Sequence, residues 1–391
     1  MLILHFKRIA ISKPEAELNR YIAGVFLMVK MMGVNLFNKD HGCRCILRVD
    51  VLVPNHAIWS SLLEYPAYGV HYSKLTLMKS RFPSNHVTHF GNGLPYTLRR
   101  RAIVDFESVK VFYPKPAEIY AKRRLRTDFI YAALSSSAKL TFEANIANRC
   151  DVRIVRPGIK VARRPRSNDG NFNIVFVSGS TSDGSFFGKG GLYLMDALNR
   201  LHDRRIKLHL ISNIDTSRSE PEGLEFLDSE GRSWTELYKE ATVSGWLKDH
   251  GRVSREKALD LMASSQLAAI PAFYDTVCYS LMEAAYLGTP LLTSNTLFMK
   301  EFYGDIAVIV PAPASIFLDD GAFNPRFGEQ VRVVKGDLSS KWADIISATV
   351  DTLSNVSEFK TASERAMKEF DGSIDGRNQA LRELYMEVDA R

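Results

Sequence analysis

The chain has 391 residues and a mass of 44.0 kDa, more than one compact core usually encloses, so two domains are expected. Apolar residues make up 46% and charged residues 24%, which excludes a disordered, collagen-like or low-complexity protein, because enough apolar surface exists to offset chain entropy. The formal net charge of +7 hides an asymmetry: residues 1–165 carry 27 Lys and Arg against 11 Asp and Glu, a net of +16, whereas residues 166–391 carry 24 against 33, a net of −9.

The first predicted element is a strand over Leu2–Ile9, followed by a helix whose first turn suits Pro14, Glu15 and Glu17 and which Gly33 can close. Strands follow at Cys45–Val53, Val87–Phe90 and Ala102–Phe106, the last two separated by the turn formers Gly91, Asn92 and Gly93. The basic stretch Pro116–Leu134 reads as a helix, Lys139–Phe142 as a short strand, and Val152–Val155 as the last strand before Pro157 and Gly158. Residues 162–172 are polar and hold both Pro and Gly, the composition of a linker.

Beyond the linker the alternation is regular. Asn173–Val177 is a strand, a Gly/Ser-rich loop runs through Gly191, and Leu192–Leu201 is an amphipathic helix. Lys207–Ser212, Leu267–Pro271 and Pro290–Thr293 read as strands, Glu256–Ala263 and Ser280–Leu287 as helices. Such alternation predicts parallel sheets covered on both faces, hence two α/β domains. The expected division is an N-terminal α/β domain over 1–165, a C-terminal one over 166–365, and a helix over 366–391 packing back across the junction.

The four cysteines, Cys43, Cys45, Cys150 and Cys278, are too few for a disulfide framework or a four-ligand zinc site, which suits a reducing compartment. Met1–Phe6 is cut short by Lys7 and Arg8, too early for a signal-peptide core. The uninterrupted apolar run Tyr21–Val29 is nine residues, against the ~20 a spanning helix needs. The expected location is therefore cytoplasmic, including the inner face of the membrane. Three basic clusters, Arg99-Arg100-Arg101, Lys122-Arg123-Arg124 with Arg126, and Arg163-Arg164 with Arg166, predict an anionic partner, unless they are solvated faces and a basic linker.

The chemistry concentrates in Gly251–Thr293. Gly251-Arg252-Val253-Ser254 precedes a helix, and Asp275 follows the strand ending at Pro271. Glu283 lies eight residues further on, inside the next helix, ahead of Gly288-Thr289-Pro290. In open α/β sheets ligands bind beyond the carboxyl ends of strands, where carboxylates receive sugar or ribose hydroxyls and helix-opening amides face anions.

Asp275–Pro290, with its acid, seven intervening positions and Glu, then Ala and a Gly-x-Pro strand, resembles the family-4 glycosyltransferases of the GT-B fold. Val175–Gly179 with Gly188-Lys189-Gly190, and Val152–Ile159 before the linker, are similar to the same family. The resemblance covers about residues 150–310. It implies the GT-B fold, two Rossmann-like α/β domains facing each other across a cleft, and transfer of a sugar from a nucleotide-sugar donor with retained configuration. The setting it suggests is surface polysaccharide or glycan biosynthesis.

By that resemblance Asp275 contacts the transferred sugar, Glu283 the nucleotide ribose and Lys189 the diphosphate. Gly179, Ser180, Gly188, Gly251, Arg252, Val277, Cys278 and Tyr279 complete the donor-binding set. Lys189 and Asp275 carry catalysis, with Glu107 or His89 as the nearest candidates for a protein base. Departures from the family pattern are Ser180 for Arg, Asp275 for Glu, and Val277-Cys278 for Phe-Gly.

The basic N-terminal half is then the acceptor side, suited to a glycan or lipid-linked acceptor and to peripheral contact with an anionic membrane; a soluble anionic acceptor fits the charge equally. No cofactor is implied, the nucleotide sugar being a substrate. Histidines 41, 56, 71, 86 and 89 lack ligand spacing and no Asp-x-Asp occurs, so no metal site is expected. The basic clusters lack interleaved aromatics, which argues against nucleic acid. The alternatives left open are a sugar-nucleotide epimerase of the same fold and a non-catalytic nucleic-acid-binding protein.

Overall fold

The computed structural model describes residues 49–53, 87–91, 102–113 and 124–390, apart from 168, 179–182, 204, 215–225, 229, 274 and 331–335. The expected Leu2–Ile9 strand, the helix after Pro14, Cys43, Cys45, Gly179, Ser180, the Arg99–Arg101 cluster, Lys122, Arg123 and the histidines at 41, 56, 71 and 86 lie outside the described residues.

Two parallel sheets organise the chain, as the alternation of apolar strands and helices requires. The first holds β1 (Val49–Val53), β2 (Val87–Gly91), β3 (Ala102–Phe106), β4 (Ile130–Ala133) and β5 (Asp151–Ile154) in sequential order, every neighbouring pair parallel. Two expectations fail here. The C-terminal end of the Pro116–Leu134 stretch is not helical: Ile130–Ala133 form a strand buried at all four positions. A continuous apolar run between two neighbours suits the middle of a parallel sheet, and Arg124 and Arg126 just before it are not in a helix.

Lys139–Phe142 is likewise no strand but the middle of α1 (Ser136–Asn145). The hydroxyl of Ser135 accepts the Ala138 N–H at 2.9 Å and caps the helix. Ala138, Thr141, Phe142 and Asn145 are buried, a spacing of three and four that only the full ten residues reveal.

The second sheet contains β6 (Phe172–Val177), β7 (Ile206–Ile211), β8 (Leu247–Asp249), β9 (Leu267–Ile270), β10 (Leu291–Ser294) and β11 (Ala307–Val310), in the order β11-β10-β9-β6-β7-β8, all parallel. The strand order reverses between β6 and β9, which pair through Ile174 with Leu267 and Val175 with Ala268. Connections from these two strands leave to opposite faces and open a crevice at their carboxyl ends.

The loop expected after β6 contains a short helix, α2 (Asp183–Gly188), before α3 (Gly191–Leu201). Elements not expected from the sequence are α4 (Trp234–Val243), whose Ser233 and Glu236 form a reciprocal capping box, β8, β11 and the helix between β10 and β11. The remaining helices are α5 (Arg255–Ser264), α6 (Tyr279–Tyr286), α7 (Leu297–Tyr303), α8 (Phe327–Gln330), α9 (Gly336–Leu353), α10 (Val356–Phe370) and α11 (Ser373–Ala390).

The chain returns to its first sheet at the end. Leu381, Leu384 and Val388 of α11 pack with Ile103, Ile130 and Val155. Arg377, fully buried, pairs with the equally buried Asp105 of β3 at 2.8 Å and donates to the carbonyls of Val155 and Arg156. A second tie runs the other way: the Glu301 carboxylate of α7 accepts the N–H groups of Ser136 and Ser137, each at 2.7 Å, at the start of α1. No helix among the described residues is long and apolar enough to cross a membrane.

The third basic cluster is used inside the chain. Arg164 pairs with Glu256 and Asp260, and Arg166 donates to the carbonyls of Gly288 and Ser265 while stacking on Phe359. Arg163 donates to the Tyr286 carbonyl and lies over its ring. These guanidiniums fasten the linker to the elements around the second sheet, in keeping with the basic-linker reading of that cluster.

Candidate functional site

The switch point between β6 and β9 places two segments side by side, the turn after α2 and the loop after β9. They are stapled together by backbone. The Gly188 carbonyl accepts the Phe273 N–H at 3.1 Å, and Gly190, at φ +77°, lies so close to Pro271 that a Cβ would sit 2.5 Å from its carbonyl oxygen. Glycine is required there by both backbone conformation and space. Lys189, between the two, is therefore directed at the end of β9, where its Nζ lies 3.0 Å from Asp275 Oδ2.

This pair is largely enclosed, the side chains being 15% and 19% exposed. Burial alone would push the Lys189 amine down and the Asp275 carboxyl up; their mutual attraction outweighs it, so the amine is held above and the carboxyl below its ordinary value. Asp275 Oδ1 accepts the N–H groups of Thr276 at 2.8 Å and Cys278 at 3.3 Å. Both carboxylate oxygens thus hold the loop and the lysine.

Cys278 adopts the left-handed conformation (φ 51°, ψ 64°) at the start of α6, the backbone that glycine adopts most easily. Tyr303 fixes this turn by donating its hydroxyl to the carbonyls of Val277 and Cys278. Burial pushes the Cys278 thiol up to about 12. The hydroxyl of Tyr279 is buried and makes no hydrogen bond among the described residues.

Glu283 does not share a site with Asp275 as a second open carboxylate. Its Oε1 accepts the Nε–H of Arg255, the first residue of α5, at 3.0 Å, and the two side chains form an ion pair. Burial raises the Glu283 pKa and Arg255 opposes that rise. Arg255 was not singled out in the sequence; the signal available was Ser254, which caps α5 by accepting the Lys257 N–H at 3.2 Å and so sets the direction of the next side chain. Gly251, at φ +57°, donates to Asp249, and Arg252 is exposed.

Of the two candidates on the first sheet, Glu107 reaches this constellation. It follows β3 directly, and its Oε2 accepts the Thr276 hydroxyl at 2.9 Å. Burial pushes its pKa up to about 7, with Thr276 and Lys189 opposing and Asp275 reinforcing. His89 lies in the middle of β2, beside Ile103 of β3, so the strand ends two residues beyond it.

A cavity of about 330 Å3 opens at this junction, lined by Glu107, Ser108, Lys110, Asp275, Thr276, Ile316 and Phe317. Burial lowers the Lys110 amine to about 8. A larger cavity, about 460 Å3, lies at the opposite end of β6, where it holds Arg166, Phe172 and Arg205 but none of the paired carboxylates. The smaller one carries the chemistry. Among the described residues no group of three or more His, Cys, Asp or Glu could hold a metal ion.

No protein-family model matches the chain, and no curated protein sequence matches it significantly. Solved structures do. A glycosyltransferase from Rickettsia africae ESF-5 is 14% identical with a TM-score of 0.54, the match covering 81% of this chain and 80% of that one. WaaG, a glycosyltransferase involved in lipopolysaccharide biosynthesis, is 14% identical with a TM-score of 0.52 over 79% of this chain and 80% of its own. The pneumococcal O-GlcNAc transferase GtfA, solved with UDP and GlcNAc, is 10% identical with a TM-score of 0.53 over 84% of this chain and 62% of its own. With two parallel α/β sheets meeting at one cavity, this chain has the fold of the GT-B glycosyltransferases.

Proposed function

We propose that the chain is a retaining glycosyltransferase that moves a sugar from a nucleotide-sugar donor to a glycan or lipid-linked acceptor, in surface polysaccharide or glycan biosynthesis. The observation that carries this proposal is the Lys189–Asp275 pair at the switch point of the second sheet, faced across the cavity by Glu107 of the first. Solved structures of the same fold include one holding UDP and GlcNAc and one acting in lipopolysaccharide biosynthesis, so UDP-sugars are the first donors to try.

In this reaction the bond from the anomeric carbon to the phosphate oxygen breaks, and its electron pair stays on the diphosphate. Lys189, a compact cation already held at the cavity, stabilises the growing negative charge. The acceptor oxygen attacks the same face of the sugar, and its proton passes to the departing phosphate or to Glu107. A carboxyl group poised near pH 7 is suited to take a proton at neutral pH. Positioning by the two sheets supplies the rest. No metal ion enters these steps.

The test is thermal stability and product analysis against UDP-, GDP-, ADP- and TDP-sugars, with wild type beside Lys189→Met and Glu283→Ala. A donor at 100 times its Kd stabilises by about 2.7 kcal/mol, which a melting shift reports. A shift with one donor, lost in both variants, with sugar appearing on an added acceptor, supports the proposal. An epimerised sugar nucleotide released without acceptor makes the chain an epimerase instead. No shift with any donor removes the donor site. Membrane contact is tested separately: sedimentation with anionic liposomes at low salt supports a lipid-linked acceptor, and its absence leaves a soluble one.

A further inference from the structure

Thr276 bonds to both carboxylates that line the cavity. Its N–H donates to Asp275 Oδ1 at 2.8 Å, and its hydroxyl donates to Glu107 Oε2 at 2.9 Å, 169 positions away in the chain. The backbone on each side of this contact is pinned by other bonds. Before Glu107, the Phe106 carbonyl accepts the Leu134 N–H at 3.1 Å; after it, the Val109 N–H donates to the Thr141 hydroxyl at 3.3 Å. Beyond Thr276, the Val277 carbonyl accepts the Tyr303 hydroxyl. The Thr276 hydroxyl therefore acts on the Glu107 side chain and not on the course of the chain. Ile316 and the buried Phe317 close the same cavity with apolar surface, where a hydrogen bond to a carboxylate is stronger than in water.

The groups around Glu107 pull in both directions. Burial and the Asp275 carboxylate favour its neutral form, and Lys189 favours the ionised one. Lys110 lines the same cavity, and the Tyr279 hydroxyl is close enough to feel the Glu107 charge. Among the influences that favour the carboxylate, the Thr276 hydrogen bond is larger than the attraction of Lys189.

We propose that Thr276 is a positioning residue for proton transfer: by holding Glu107 Oε2 across the junction of the two sheets, it fixes that carboxylate at the cavity and favours the form able to receive a proton. This rests on Glu107 taking the acceptor's proton. In that step a lone pair of the acceptor oxygen forms the bond to the anomeric carbon, and the O–H pair stays on that oxygen. The proton passes to a Glu107 oxygen, and the broken bond leaves its pair on the diphosphate. A hydroxyl suits the task because it carries no net charge: it favours the carboxylate without competing with Lys189 for the diphosphate.

The experiment compares full-length wild type, Thr276→Val and Thr276→Ser, each with and without Glu107→Gln. Valine keeps the shape and the N–H to Asp275 and loses the hydroxyl. The first readout, denaturation from pH 4.5 to 9, needs no substrate. The stability of wild type relative to Glu107→Gln falls as pH rises from about 4.5 to about 7 and is then constant. With Thr276→Val that fall continues about one pH unit further, and with Thr276→Ser it ends where wild type does. The second readout is nucleotide release from the donor that gives a melting shift, with water as acceptor. Thr276→Val loses about tenfold in kcat at pH 6, a loss that fades toward pH 9, while donor KM stays within about threefold.

A loss in Thr276→Val that is equal at every pH, or that serine does not restore, belongs to a merely structural residue and overturns the proposal. So does an unmoved titration of Glu107 in the folded valine variant. Turnover by Glu107→Gln at the wild-type rate removes the base and this proposal but leaves the donor site standing. No donor binding by folded wild type removes the proposed function and this proposal together.

Discussion

The two sheets carry different kinds of charge. The second sheet offers cations and carboxylates already paired, Lys189 with Asp275 and Arg255 with Glu283. Mutual attraction holds the first pair away from neutral titration, so its charges are fixed features of the site. The first sheet offers Glu107 and Lys110, which burial drives to about 7 and about 8. Pairing makes a permanent electrostatic frame; burial near a cavity makes a group that exchanges protons. The division fits a donor phosphate held by the second sheet and an acceptor hydroxyl presented by the first.

The largest effect expected from breaking this arrangement is on the tie between the halves. Arg377→Met leaves Asp105 charged in a fully buried position, and should lower stability by about 3–5 kcal/mol, read as a drop in the denaturant midpoint. If the variant unfolds within 1 kcal/mol of wild type, the pair does not anchor α11.

Within the second sheet, Lys189→Met should reduce turnover by about 10²–10³-fold while the acceptor KM stays near its wild-type value, because the lost cation acts on the leaving diphosphate. Steady-state kinetics with the donor found above decide this. A rise in acceptor KM alone would move Lys189 out of the proposed role.

Glu107→Gln sharpens the contrast from the other side. The folded pKa of Glu107, about 7, exceeds its ordinary 4.5, so the folded state holds the proton more tightly. Stability from this group is fully present below about pH 4.5, is lost as pH rises to about 7, and stays lost above. The variant should match wild type at pH 4.5 and exceed it at pH 8 by on the order of 2 kcal/mol, measured by denaturation at the two pH values. A constant difference across that range would mean that Glu107 titrates as an ordinary carboxylate.

The smallest effect is expected at the linker. Arg164→Ala removes solvent-facing pairs with Glu256 and Asp260 and should move the denaturant midpoint least of these variants, an effect that fades at high salt.

Much of the second half was legible in the sequence. Apolar strands alternated with helices at short spacing there, and the boundaries of β6, β7, β9 and β10 fall within a residue or two of those expected. Among its described residues the first half was legible at β1, β2, β3 and β5. Over Ile130–Ala133 and Ser136–Asn145 a short apolar run and a four-residue window carry no period of their own, so strand and helix were exchanged. Lys189, Asp275 and Glu283 stood out because glycines and a strand end bracketed them. Thr276 and Lys110 did not, because nothing in their local sequence distinguishes them from surface residues, and for Arg255 the only local signal was the capping Ser254.

By itself the sequence determined that two α/β units with unequal charge would form and that carboxylates would lie beyond strand ends. Those outcomes follow from local periodicity and backbone sterics, which act over a few residues. Tertiary structure alone decided which charges meet. Lys189 and Asp275 are 86 positions apart, Glu107 and Thr276 169, and Asp105 and Arg377 272. Only the strand order of the second sheet and the return of α11 to the first bring them within bonding distance, and burial at that junction then sets which of them keep their protons near neutral pH.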